Sequence, residues 1–186
     1  IQIPGLVKYQ FHWTPVLDIR NTGVWEVLRV VAPRLLTMFL IQLMFIARDN
    51  FASRLGQVGA ISALTYGWMI MQVPETLIGT AIAVALLPTL SEYAVRQDWA
   101  AFRATIEKAL RVVIVLTLPA AAVLAAGLRP IVAAAFHFDA AGTSLLTWTT
   151  RIYMLTLTGY AMQEIMARSF YSRKEAIYPL YAVLIR

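Results

Sequence analysis

The sequence has no cysteine among its 186 residues and only two histidines. Disulfides, thiol chemistry and Cys-based metal sites are therefore excluded, although the absence leaves the compartment open. His12 and His137 stand in loops with no partner at metal-ligand spacing, so no metal site is expected. A Walker motif, a nucleophile elbow and paired catalytic carboxylates are all missing, so an enzyme is not expected and no cofactor is implied. Charge is scarce as well: 14% of the residues are Asp, Glu, Lys or Arg, against about 25% in an average soluble domain. No signal-peptide pattern opens the chain. It starts at Ile1 and its last residues, "YPLYAVLIR", begin a further apolar segment. An internal fragment of a longer membrane protein is the expectation.

What is abundant is apolar surface. Hydrophobic residues make up 60% of the chain and the mean hydropathy is +0.67. An excess of that size points to a bilayer as the solvent. The net charge of +6 could suggest nucleic acid, but the Lys and Arg residues cluster in the breaks between apolar stretches, so no nucleic-acid partner is expected.

Along the chain, residues 1–26 read as a polar-aromatic linker, with Tyr9, Phe11 and Trp13 as headgroup-level aromatics. Residues 27–186 read as part of a transmembrane lobe. The expected spans are 27–51, 55–90, 112–136 and 143–165, with another starting at about 176. The second of these would extend roughly 54 Å as one helix, against a hydrocarbon core of roughly 30 Å. It therefore overshoots the membrane or breaks near Pro74. Between the second and third spans, Val95, Trp99, Phe102, Ile106 and Leu110 recur every three or four residues. That period predicts an amphipathic helix over about 91–111 in the interface, supported by the pairs Glu92–Arg96 and Arg103–Glu107. The fold class expected is an all-α, polytopic membrane bundle with about four complete spans.

Loop charges orient it. Lys8, Arg20, Arg29, Arg96, Arg103, Lys108, Arg111, Arg168, Arg173 and Lys174 fall on one side, and Arg48, Arg54 and Arg129 on the other. Ten against three places the linker, the amphipathic helix and the "SRKE" loop in the cytoplasm.

Ionisable groups at membrane depth cost a few kcal/mol, so each needs a reason. Arg34, one turn into the first span, either snorkels to the headgroups or lines a cavity that attracts an anionic substrate. Glu75, the deepest carboxylate, is either a proton or cation site or an acceptor for groups freed by the kink at Pro74. Arg151 and Glu164 share the fourth span, thirteen residues apart, near the outer and inner interfaces respectively. Arg34, Glu75 and Arg151 are the candidate substrate-binding residues. Arg48-Asp49 reads as a solvated boundary. Gly67, Gly79, Ala81, Ala83 and Ala85 read as close helix packing.

Four stretches carry a resemblance: "FASRLGQVGAIS", "VPETLIGTAIAVALLPTLSE", Pro119 opening the third span, and "ARSFYSRKEAIYP". Together with the "QIPGL" start they resemble the bacterial MurJ/MviN lipid II flippase family, of the MOP transporter superfamily, over nearly the whole chain. The resemblance implies a MOP/MATE-like protein of two six-helix lobes plus two further helices, located in the bacterial plasma membrane. This chain would supply the linker after helix six, then helices seven to ten and the start of eleven. It implies alternating access that moves a lipid-linked peptidoglycan precursor outward, with membrane lipids around it, a monovalent cation or proton as a candidate partner, and the membrane potential or an ion gradient supplying energy. A cation-coupled drug or polysaccharide-lipid exporter of the same superfamily is the nearest alternative, and a non-transporting scaffold homologue is a third. Family members carry an Ala-Asp-Arg triplet in helix eight whose arginine lines the cavity. Here the matching residues are Gly67, Trp68 and Met69, and the family's basic-Gly loop is shortened to "FHFDAAG".

Overall fold

In a computed structural model, residues 22–173, 175 and 177–185 are described. The linker expectation for residues 1–21, with His12 and the three interface aromatics, lies outside them. So do Lys174 and the side chain of Arg29. All elements among the described residues are helices: α1 (Thr22–Arg54), α2 (Ala60–Glu75), a π-helical turn (Thr76–Thr80), α3 (Ala81–Arg96), α4 (Trp99–Phe136), α5 (Ala140–Ser172) and α6 (Ile177–Ile185).

α2, the π-turn and α3 follow one another without a gap, so the second apolar segment is one continuous rod of 37 residues, Ala60–Arg96. It continues through Pro74 without a break, and at 37 residues it is longer than a hydrocarbon core of roughly 30 Å requires. The rod ends where Gln97 turns left-handed (φ 57°) and Asp98 caps α4, accepting from the Ala101 N–H at 3.0 Å. This turn divides the amphipathic stretch expected over 91–111. Residues 91–96 finish α3, and the rest continues into the third span as one helix of 38 residues. The cap at Asp98 explains the difference: it is a helix start that the apolar period does not register. Of the two expected pairs, Glu92–Arg96 forms at 2.7 Å, whereas Arg103 and Glu107 make no bridge.

Among the described residues, three segments are long and apolar enough to cross a membrane: Val31–Arg54, Ala60–Arg96 and Trp99–Phe136. α5 has the length, with 33 residues, but a polar composition. Its polar groups turn inward. Thr143, Thr147, Thr150 and Ser169 are buried along one stripe with Leu146, Met154, Leu157, Ala161 and Ile165. Thr147 and Thr150 donate back to the carbonyls of Thr143 and Leu146 at 2.7 Å, so no hydroxyl is left unsatisfied there. α5 is the hub, its backbone close to α2, the π-turn, α3, α4 and α6, while among the described residues the backbone of α1 comes close to α2 and α6 and reaches α5 through side chains.

All three core clusters include α5. Ala161 and Ile165 meet Ala83, Ala109 and Val113; Met154 and Leu157 meet Met71; Leu146 meets Leu128 and Val132. The exterior is apolar in its turn, with Phe39, Leu77, Val123 and Leu155 among many exposed large side chains. Water would not tolerate that skin, whereas lipid does.

Candidate functional site

Three helical stripes converge on one cavity of about 440 Å3. α1 contributes Ile41, Met44, Phe45 and Arg48; α2 contributes Trp68, Met71, Gln72 and Glu75; α5 contributes Tyr153, Tyr160, Gln163 and Glu164. Each set follows the three-four spacing of a helix face. Val183 of α6 closes a fourth wall.

The walls are aromatic. Trp68 lies edge-on to Phe45, Tyr153 and Tyr160, with centroids 5.5, 5.9 and 5.0 Å away. Charge gathers at the two ends. At one end the Arg48 guanidinium covers the Phe45 ring at 4.9 Å, pairs with Asp49 at 2.8 Å and donates to the Tyr153 hydroxyl at 3.4 Å. At the other end are Glu75 and Glu164. Tyr153 and Glu164 share α5, and their spacing separates the ends by roughly 16 Å at the helical rise. Glu164 is held by Arg168 at 3.2 Å, and the Arg168 Nε is buried without a hydrogen-bond partner.

Glu75 owes its setting to the π-turn. Its carboxylate is buried, and the Thr80 hydroxyl donates to Oε1 at 3.2 Å. Residues five apart face each other across a π-turn but lie about 1.4 turns apart in an α-helix. Pro74 removes one N–H from the ladder, and the widened turn follows it directly. At Gly79 the turn crosses α5 so closely that a Cβ there would lie 2.7 Å from the Ala161 Cβ and 2.9 Å from Glu75 Oε1. No Lys or Arg bonds Glu75 among the described residues.

Of the three candidate residues, the structure brings only Glu75 to this cavity. Arg34 is exposed, with its guanidinium 5.7 Å from the centre of the Tyr171 ring, toward the opposite end of α1 from Arg48. Arg151 ties α5 to α4: its Nε donates to the Ala125 carbonyl at 2.9 Å and its guanidinium covers Trp148 at 5.1 Å. That carbonyl is adjacent to Ala126, whose partner N–H is removed by Pro130. Arg48, expected at a solvated boundary, is the cation that lines the cavity. The signal for it is its register with Ile41 and Phe45, seven and three residues earlier. Met69, where the resemblance leads one to expect an arginine, is 55% exposed and does not line this cavity, whereas its neighbour Trp68 does. Among the described residues, no group of His, Asp and Glu could hold a metal ion.

Comparison with known proteins agrees with the helical pattern. The family profile described as lipid II flippase MurJ matches residues 1–186. The lipid II flippase MurJ of Burkholderia cenocepacia is 32% identical over 187 residues, covering 97% of this chain and 36% of its own length. The probable lipid II flippase MurJ of Bdellovibrio bacteriovorus is 30% identical over 176 residues, covering 93% of this chain and 32% of its own length. That of Vibrio cholerae is 26% identical over 182 residues, covering 96% and 34%. The chain thus spans about a third of the length of these relatives.

Proposed function

The chain belongs to the lipid II flippase MurJ family, and on that premise we propose that it is part of a transporter that moves a lipid-linked peptidoglycan precursor across the bacterial plasma membrane. α5 crosses with α1, the α2–α3 rod and α4, its threonines turned inward, and the end bearing Arg103 and Arg173 faces the cytoplasm. The lobe carrying these helices rocks against its partner lobe, exposing the substrate path to each side in turn. Membership and the apolar exterior support this reading; the cavity refines it.

The observation that carries the refinement is the meeting of Glu75 and Glu164, from facing helices, at one end of the cavity, with Glu164 the one bonded to an arginine among the described residues. A volume of about 440 Å3 matches a pocket for a drug-sized molecule. A disaccharide-pentapeptide headgroup needs more room than that. The carboxylate end of the cavity therefore holds a monovalent cation or a proton, which couples an ion gradient to movement of the lobe. A carboxylate buried in a membrane bundle with no cation bonded to it is costly unless it is loaded and unloaded in this way. Arg48 at the far end balances the cavity and holds α1 to α5 through Tyr153.

The test is depletion complementation with the full-length protein. A wild type that is made and inserted should restore cell-wall synthesis in a host depleted of its own precursor flippase. Failure to do so at normal abundance removes the transport assignment.

A further inference from the structure

A second cavity, of about 340 Å3, opens where α4 begins and α5 ends. Trp99, Phe102, Arg103, Ile106 and Arg173 line it. Trp99 and Phe102 meet edge to face with centroids 5.8 Å apart, and the Arg173 guanidinium covers the Trp99 ring at 5.1 Å. Arg173 also donates to Glu175 at 2.9 Å. Arg103 is exposed and makes no hydrogen bond or ion pair among the described residues, leaving Glu107 one turn away unengaged.

Two guanidiniums therefore share one small cavity, with Glu175 bonded to Arg173, Glu107 one turn from Arg103 but not bonded to it, and an apolar, aromatic floor. A guanidinium fork matches phosphate oxygens, and it is favoured where the anion is held against a low-dielectric wall. Trp99, 43% exposed, is a side chain of the kind that occupies the boundary between headgroup and acyl chain, and the buried Phe102 backs it. Lys108 and Arg111 lie further along α4 and add positive charge at this end of the bundle, whereas Arg96 and Arg168 are each paired with a glutamate.

We propose that this cavity seats the phosphate of an anionic glycerophospholipid from the surrounding leaflet. Arg103 and Arg173 hold the phosphate oxygens, and Trp99, Phe102 and Ile106 take the glycerol and first acyl carbons. The unengaged Arg103 is the group such a ligand completes. The bound lipid bridges the start of α4 and the end of α5. This site shares no residue with the Glu75 cavity and stands independently of the transport reading.

The test uses the full-length protein in detergent, titrated with phosphatidylglycerol or phosphatidylcholine and read by native mass spectrometry and by thermal unfolding. Wild type should retain phosphatidylglycerol in preference to phosphatidylcholine. Arg103→Gln breaks no bond in the fold and should weaken phosphatidylglycerol binding about fivefold, the effect expected of one arginine at a membrane surface. Glu175→Gln removes the competing carboxylate and should strengthen it, which a purely structural role for Arg173 would not do. Equal retention of both lipids, or no change in Arg103→Gln, overturns the proposal. Inorganic phosphate binding as well as the lipid overturns the role of the apolar floor. Displacement of phosphatidylglycerol by a polyprenyl pyrophosphate, with the same dependence on Arg103, reassigns the site to the transported substrate.

Discussion

Thr80 and Glu75 are five residues apart, yet the Thr80 hydroxyl lies 3.2 Å from the Glu75 carboxylate. The π-turn that follows Pro74 makes this contact by adding a residue to the helical turn. A hydrogen bond to a charged group typically contributes about 1.5–3 kcal/mol. Thr80→Val should therefore lower the thermal unfolding midpoint of the full-length protein in detergent, whereas Thr80→Ser should restore it. If both variants unfold like wild type, the hydroxyl does not hold the carboxylate.

Gly79 and Gly127 should respond to alanine with opposite signs. A Cβ at Gly79 meets Ala161, including its Cα at 2.8 Å, while nothing lies within 4 Å of one at Gly127. Overpacking of this kind costs about 1–3 kcal/mol. Replacing an unstrained helical glycine instead stabilises by about 0.4–1 kcal/mol. Chemical denaturation of Gly79→Ala and Gly127→Ala in one background measures both.

Arg151 is assigned to the fold, and its removal should act through stability. Arg151→Ala loses the bond to the Ala125 carbonyl and the contact with Trp148. A loss of about 1 kcal/mol is expected for one partly buried hydrogen bond, because the Ala125 carbonyl keeps its place in the helical ladder. Transport per inserted molecule should stay at the wild-type level. Reduced transport at unchanged abundance and stability would place Arg151 on the substrate path instead.

The absence of cysteine in this segment gives a direct probe of the cavity. In a full-length background without other cysteines, Gln72→Cys should react with a small, charged thiol reagent. Leu155→Cys, from an α5 residue 84% exposed on the apolar exterior, should resist it. Reaction at Gln72→Cys should also stop transport. Equal reactivity at both positions would contradict a water-accessible cavity on this face.

Much of the fold is legible in the sequence, because lipid forces backbone groups to pair within helices and makes apolar length a direct readout of spans. The helix expected as the fourth span shows the limit of that logic. α5 is identified by its place between loops more than by its hydropathy, since its inward threonines lower the average while bonding their own helix. The split of the amphipathic stretch at Gln97–Asp98 depends on one left-handed residue and one cap, which periodicity does not weigh.

At the site, depth alone singles out Glu75. Arg48 needs a second step, since its charge sits beside Asp49 and looks solvated until its register with Ile41 and Phe45 is followed onto α2 and α5. Arg34 and Arg151 have the right residue type and depth but face other neighbours. Which way a side chain points across helices far apart in sequence is a tertiary fact.

The central claim is that the Glu75 carboxylate loads a cation or proton during transport, and Glu75→Gln addresses it most directly. Glutamine keeps the size and the acceptor for Thr80 but removes the charge. In a host depleted of its own precursor flippase, the wild-type and Glu75→Gln full-length proteins should be inserted in equal amounts. The predicted result is that wild type restores exposure of the lipid-linked precursor on the outer face, measured by its cleavage with an impermeant hydrolase, and Glu75→Gln does not. Restoration by Glu75→Gln to the wild-type level, with the same dependence on the ion gradient, would contradict it.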